Sequence, residues 1–387
     1  MKNFKFYSPT KIVFGQGSVN QLGKLIAGKY ERILLHYGTG SIKKSGLYTD
    51  IMNILKDYDC EVFELSGVEP NPKLSLVRDG IKIVSEHDID LILAVGGGSV
   101  IDSAKAIGIG ARYEGDVWDF FTGEEKVRET IPVGVVLTFP ATGSEASMGT
   151  VITNEEGAYK RSVNHDILRP VFAIMDPMLT LTLPDKQTFA GIVDILSHIF
   201  ERYFTNTPNV ELTDYLCEGT MKTVIKNAYI IKKDPKDFAA RSEIMLAGTI
   251  AHNGILGLGR EDDWSSHKIG HELSALYGTT HGRTLGIIFP AWMKYVYKEN
   301  IVRFVRFATN IFDVSIINKT QEQIALEGID NLITFLKDIG VPTSFREEGL
   351  PTDKIELMAE KATAAGTIGG LKKLDKDDVI NIYNLAK

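Results

Sequence analysis

The sequence predicts an α/β domain built on a parallel sheet, followed by an all-α domain, and three observations predict it. Short apolar runs alternate with amphipathic segments through the first half of the chain. Each of those runs ends in Gly, Ser or Pro. Beyond Leu183-Pro184 such runs give way to long segments of helical period. A chain of 387 residues has room for two domains, here taken as 1–184 and 185–387.

In order along the first half, ERILLHYG (31–38), CEVFELSG (60–67), DLILAVGGGS (90–99) and IPVGVVLTFP (131–140) read as buried strands. GLYTDIMNILKDY and LSLVRDGIKIVSEHD lie between them with helical spacing. Strand, turn, helix and strand again imply βαβ units with right-handed crossovers, and such sheets bind ligands at the carboxyl ends of their strands. In the second half QTFAGIVDILSHIFERYF, the 209–232 segment, DFAARSEIMLAGTIAHNGIL, WSSHKIGHELSALY and most of 300–387 carry helical periods.

Composition narrows the function. With 43 basic and 50 acidic residues the net charge is −7, the wrong sign for a nucleic-acid binder, whose affinity comes from phosphate contacts. Two cysteines, Cys60 and Cys217, make no disulfide framework and no CxxC pair, which fits a reducing compartment. The opening MKNFKFYSPTK leads into no long apolar core, and no stretch approaches the ~18–20 apolar residues of a membrane span. The expectation is a cytoplasmic protein with no membrane and no nucleic-acid partner.

The first chemical signal is glycine placed after strands. DLILAVGGGSVIDSAKAIGIGA runs a strand into Gly96, Gly97, Gly98 and Ser99, and a helix starts there. Glycine lets backbone approach a phosphate closely, and the free amides of a helix start attract anions. Asp102, three residues after Ser99, gives a capping-box-like pattern. A second turn, with Gly38, Thr39, Gly40 and Ser41, follows ERILL, and a third, from Phe139 to Glu145, follows IPVGVVL. Three such turns along one sheet edge suit a long, doubly phosphorylated ligand. Complete fingerprints are absent: Lys43 stands where GxGxxG needs its third glycine, and Leu22 breaks a P-loop match at 17–25.

The second signal is a set of ligand-type side chains on helices. Asp194 and His198 stand i, i+4 on a segment whose only other polar residue between Phe189 and Phe200 is Ser197. A carboxylate buried in such a helix is costly unless it is paired or ligates a cation. His267 and His271 repeat the i, i+4 spacing, His281 follows a Tyr-Gly-Thr-Thr break, and His252 is a fifth histidine in this half. Carboxylate plus imidazole without thiolate suits Zn, Fe(II), Mn, Co or Ni. Spacing leaves open whether His271 or His281 completes the set. HELSA at 271–275 lacks the second histidine of HExxH, and no GxSxG elbow is present.

Taken together and in order, PTKIVFGQGS, GGGSVID (96–102), FPATGSEAS (139–147), DILSHIFERYF (194–204) and HKIGHELSALYGTTHGRTLGIIFP (267–290) resemble the iron-containing, or group III, alcohol dehydrogenases over nearly the whole chain. The branch most resembled is that of the butanol dehydrogenases and broad-specificity aldehyde reductases. The resemblance implies a Rossmann-like first domain and an all-α second domain, in a dehydroquinate synthase-like fold. It implies a divalent metal, Fe(II) or Zn, on Asp194, His198, His267 and His281, with His271 as a proton carrier beside the nicotinamide. It implies cofactor contacts at Gly97, Gly98, Ser99, Asp102, Thr138, Thr142 and Ser144, with Asn71 and Lys160 as further ones, and a homodimer.

NAD-preferring members of that family carry an acidic residue in the first turn. Here the turn holds no carboxylate, and Ser41 and Lys43 can donate to a 2′-phosphate, so NADP(H) is the expected preference with NAD possible. The expected reaction is hydride transfer between nicotinamide and short-to-medium-chain primary alcohols or aldehydes. Two alternatives stand beside it: a glycerol dehydrogenase-like polyol enzyme, whose three-residue metal set leaves His281 without a role, and a non-catalytic dinucleotide-binding assembly protein.

Overall fold

The computed structural model describes all 387 residues, which form two compact units, Tyr7–Leu183 and Met1–Phe6 with Pro184–Lys387. The first six residues therefore leave the α/β part, to which the 1–184 division gave them. The Lys2 amide donates to the Gly259 carbonyl at 2.7 Å and the terminal amine to that of Pro208 at 2.8 Å, both in the helical unit.

The α/β unit is a six-stranded, wholly parallel sheet in the order β1-β8-β5-β4-β2-β3. Its strands are β1 (Lys11–Phe14), β2 (Arg32–Gly38), β3 (Glu61–Val68), β4 (Leu91–Gly97), β5 (Val133–Phe139) and β8 (Phe172–Met175). A separate antiparallel hairpin pairs β6 (Gly149–Asn154) with β7 (Tyr159–Asn164). Helices α1 (Leu22–Ile26), α2 (Ser41–Lys44), α3 (Leu47–Asp57), α4 (Leu74–Glu86), α5 (Gly98–Gly110) and α6 (Trp118–Thr122) complete the unit. The central strands are buried on both faces, which is why β4 reads as an unbroken run from Leu91 to Val95 without a period of two.

The four strands expected from sequence are β2 to β5. The runs that became β1 and β8 span four residues each, too short to carry a pattern. From β2 the chain steps outward to β3, then crosses back over β2 to β4. The crevice where the chain reverses its direction of travel across a sheet is where open parallel sheets bind ligands, and here it opens between β2 and β4.

The helical unit contains α7 (Asp185–Tyr203), α8 (Glu211–Lys233), α9 (Phe238–His252), α10 (Ser265–Tyr277), α11 (His281–Val296), α12 (Ile301–Phe312), α13 (Gln321–Asp338), α14 (Phe345–Glu348), α15 (Ile355–Ala362) and α16 (Lys376–Leu385). Its core gathers side chains from α7 through α16, and α7 is buried without a break from Thr188 to Tyr203. No helix of the chain is long and apolar enough to cross a membrane.

Candidate functional site

The sheet edge comes first. Because β5, β4 and β2 are parallel neighbours, the turns that follow them emerge side by side. Gly40 has φ +128, a backbone state that L side chains rarely adopt, and open space where a Cβ would stand. Helix α5 begins at Gly98, so the backbone amides of Gly98, Ser99 and Val100 open its first turn and have no partners within the helix. A Cβ on Gly98 would lie 2.4 Å from Thr142, so glycine there lets the β4 and β5 turns close on one another. Glycine at 40 and 98 and a free helix start beside them fit a dinucleotide pyrophosphate.

Asp102 corrects one expectation. It caps nothing: Gly97 is the N-cap of α5 and the helix start has no side-chain cap. One turn into the helix, Asp102 is buried, accepting from the Ser144 hydroxyl at 2.6 Å and the Val151 amide at 3.2 Å. It ties α5 to the third turn and to the hairpin. Burial pushes its carboxyl up, while Lys105, the Ser144 and Val151 donors and Lys160 pull the other way. The Ser144 amide in turn donates to the Thr142 hydroxyl at 3.1 Å. Gly38, Gly97, Ser99, Thr138 and Thr142 are half-buried, and Thr39 and Ser41 are exposed. Lys160 is 5 % exposed and donates to Asn71 Oδ1 at 2.8 Å, so these two expected contacts meet each other across 89 residues of sequence. Lys43 lies over the Tyr48 and Tyr37 rings, with Nζ 3.9 Å from Glu64.

Beneath this edge lies His36 on β2, wholly buried. One ring nitrogen is 2.9 Å from the Leu65 carbonyl and the other 2.9 Å from the Ser103 hydroxyl. Burial lowers its pKa to about 4, against the upward pull of Leu65.

The metal-type residues all lie in the helical unit. Asp194 and His198 project from one face of α7 and are 2 % and 4 % exposed. Helix α10 carries His267, and Gly278, at φ +67, ends it. Three residues later α11 opens on His281. A Cβ on Gly282 would stand 1.9 Å from the Ala190 carbonyl oxygen, so glycine is what lets α11 start against α7, one turn before Asp194.

Ligand atoms of Asp194, His267 and His281 all lie within 4.8 Å of one another. His281 Nε2 is 3.7 Å and His267 Nε2 3.9 Å from Asp194 Oδ1. Two ligands held at about 2.1 Å from one tetrahedral ion stand about 3.4 Å apart, so this donor set fits a divalent cation with small adjustment. His198 is outside that triple but borders it, with Nδ1 3.6 Å from Asp194 Oδ1 and its ring 4.8 Å from that of His267. Burial first, then the neighbouring His252, His267, Arg202 and His281, holds the His198 pKa well below its ordinary value, which keeps the ring neutral as ligation requires. His271, half-buried, stands beside the cluster, 5.2 Å ring to ring from His281 and 6.4 Å from His267.

One residue and one backbone state escaped the sequence reading. Glu201, fully buried on α7, accepts from His267 Nδ1 at 2.7 Å. Its signal was there, since 194, 198 and 201 are i, i+4 and i+7 on one helix face. Trp264 enters α10 at φ +62, rare for an aromatic residue. Its ring is 5.0 Å from that of His267 and 6.0 Å from that of His198. Nothing local in the sequence marks that backbone.

The model of the iron-containing alcohol dehydrogenase family matches residues 9–177, and that of its C-terminal domain matches 188–386. Over the full length of both chains, this protein is 44% identical to a Bacillus subtilis protein named probable NADH-dependent butanol dehydrogenase 2. It is 35% identical, again over both full lengths, to the Escherichia coli NADPH-dependent aldehyde reductase YqhD. Among solved structures, the NADH-dependent butanol dehydrogenase A of Thermotoga maritima matches with a TM-score of 0.96 at 40% identity, covering 100% of this chain and 99% of that one. The fold, the ordered motifs and the full-length similarity agree: the chain belongs to the iron-containing alcohol dehydrogenase family.

Proposed function

We propose that the protein is a metal-dependent, NAD(P)H-linked alcohol dehydrogenase and aldehyde reductase for short-to-medium-chain primary alcohols and aldehydes. The observation that carries the proposal is the convergence of Asp194, His267 and His281 ligand atoms within 4.8 Å in the helical unit, the first two buried and His281 half-buried. With His198 against them, these four residues would hold a divalent ion, Fe(II) or Zn, through one carboxylate and three imidazoles. Bound there, the ion would supply a Lewis acid for the substrate oxygen. The nicotinamide would supply or accept the hydride, and the protein's part is to aim it.

The chain's own residues do the rest. Gly38, Gly40, Gly97 and Gly98 give the dinucleotide close backbone approach, and the α5 amides face its phosphates. Thr138, Thr142 and Ser99 offer hydroxyls along the same edge, Asp102 holds Ser144 of the third turn, and Asn71 and Lys160, bonded to each other, are further contacts for the dinucleotide. His271 carries a proton on a ring nitrogen to or from the substrate oxygen.

On cofactor choice, the carboxylate-free turn supports acceptance of NADP(H). Of the two donors that favoured NADP(H) over NAD(H), Ser41 is exposed and Lys43 is already engaged by Glu64, Tyr37 and Tyr48. The reading therefore includes both cofactors, with Ser41 as the donor for a 2′-phosphate. It also includes a cytoplasmic homodimer, supported by family resemblance and by cysteines Cys60 and Cys217, which are free.

The test pairs elemental analysis of protein purified without added metal with a screen of NADPH and NADH oxidation over aldehydes from acetaldehyde to octanal. Bound Fe or Zn and turnover on the medium-chain aldehydes are expected. Cofactor binding without oxidation by any aldehyde, in protein loaded with either metal, overturns the proposal.

A further inference from the structure

We infer that Glu201 is the positioning residue of the metal centre: its carboxylate dictates which ring nitrogen of His267 turns toward Asp194. The inference rests on the metal-centre reading above and adds to it a residue that touches neither substrate nor ion.

Both oxygens of Glu201 are committed to one stretch of chain. Oε1 accepts from His267 Nδ1 at 2.7 Å and from the His267 backbone amide at 3.0 Å. Oε2 accepts from the Trp264 amide at 2.6 Å. Each Glu201 oxygen already accepts from a backbone amide, Oε1 from His267 and Oε2 from Trp264, so neither is placed as a hydroxyl donor and the proton at the His267 end of the contact belongs to Nδ1. The lone pair is then on Nε2, the atom 3.9 Å from Asp194 Oδ1. A half-turn of the imidazole about its Cβ–Cγ bond would put Cδ2 in the place of Nδ1, break the bond to Glu201 and set a C–H against a buried oxygen. The backbone bonds fix the rest: held at both its own amide and its ring, His267 cannot shift along α10 without Glu201, and Trp264 is held in its left-handed conformation at the head of the helix.

Capping alone does not account for a carboxylate here. The first amides of α10 need acceptors, and Glu201 supplies two of them. A neutral Ser or Asn is as good a cap and spares the cost of burying a charge. Glu201 is 0 % exposed and has Asp263 close enough to disfavour its ionised form further. A negative group in that place is favourable when a cation sits on the far nitrogen of the same imidazole, and a carboxylate then makes the ring a stronger ligand.

The test uses the full chain with selectively nitrogen-labelled histidine, metal-free and metal-loaded. In metal-free wild-type protein the His267 ring is expected as the Nδ1–H tautomer by nitrogen–proton correlation NMR. In Glu201→Gln the tautomer bias is expected to weaken, and affinity for Zn, read by chelator competition, to fall about 10–100-fold while circular dichroism stays unchanged. An Nε2–H tautomer in wild-type protein overturns the inference, whether or not any variant folds. So does a folded Glu201→Gln that binds Zn within about threefold of wild type while Asp194→Ala loses it, and in that case the metal centre itself stands. If Asp194→Ala also keeps wild-type Zn affinity, the metal-centre reading falls and takes this inference with it.

Discussion

The sheet edge and the interior of the helical unit are sites of opposite construction. The edge is made of backbone: glycines at 38, 40, 97 and 98 and the first amides of α5, with the buried Asp102–Ser144 bond tying that helix to the third turn. The helical site is made of side chains from three helices, with backbone supplying the contacts that bring those helices together, as at Gly282 against Ala190. A backbone site tolerates change in most side chains and fails when a Cβ is added. A side-chain site fails when one donor, or the carboxylate that orients a donor, is lost.

The contrast breaks hardest at the donors. Asp194→Ala and His267→Ala are each expected to lower kcat/KM by about 10³-fold or more, since Lewis-acid stabilisation is worth several kcal/mol. Dinucleotide affinity, measured by fluorescence titration, is expected to stay near wild type. Near-normal rates in either variant without metal, or an equal loss of cofactor binding, would erase the distinction between the sites.

A smaller effect separates the stability of the two units. His36 is buried neutral under the glycine edge with its pKa lowered to about 4. The unfolded chain binds this proton from about pH 6.5 downward and the folded chain only near pH 4, so stability is lost as pH falls through that window. At 1.36 kcal/mol per pH unit the loss approaches about 3 kcal/mol at the lower end. Denaturant melts of wild type and His36→Gln between pH 7 and pH 4 check it. A wild-type slope no steeper than that of the variant contradicts the assignment.

The smallest effect concerns cofactor choice. Thr39→Asp places a carboxylate in the exposed first turn, and the ratio of Kd values should move toward NAD(H) by roughly tenfold, about 1.4 kcal/mol. Unchanged ratios for the two cofactors would place the 2′-phosphate away from this turn.

How legible each region was in the sequence follows from the same contrast. The turns after β2, β4 and β5 were readable because each is local, a strand followed at once by small residues. Their juxtaposition followed from the rule that βαβ crossovers build parallel sheets. The i, i+4 pair on α7 was readable because burial of Asp194 in an apolar helix has few explanations. Spacing on α10 and α11 was ambiguous between His271 and His281, since His271 lies one turn from His267 on α10 while His281 opens the next helix, and only the path of the chain after Gly278 brings His281 back to Asp194. Asp102 misled for the reverse reason. The local pattern resembled a cap, while the side chain found buried partners 42 and 49 residues away.

Four of the six strands of the parallel sheet, the helical character of the second half, the glycine turns and the types of ligand-bearing residue were determined by the sequence, because each follows from short-range periodicity or from the chemistry of one side chain in its neighbourhood. The tertiary structure alone decided that His281 stands 3.7 Å from Asp194, that Glu201 grips His267, that Trp264 takes a left-handed backbone and that Lys43 is already matched by Glu64. Those outcomes depend on which helix faces meet and how closely, set by packing between segments tens of residues apart, and no local pattern encodes such a distance.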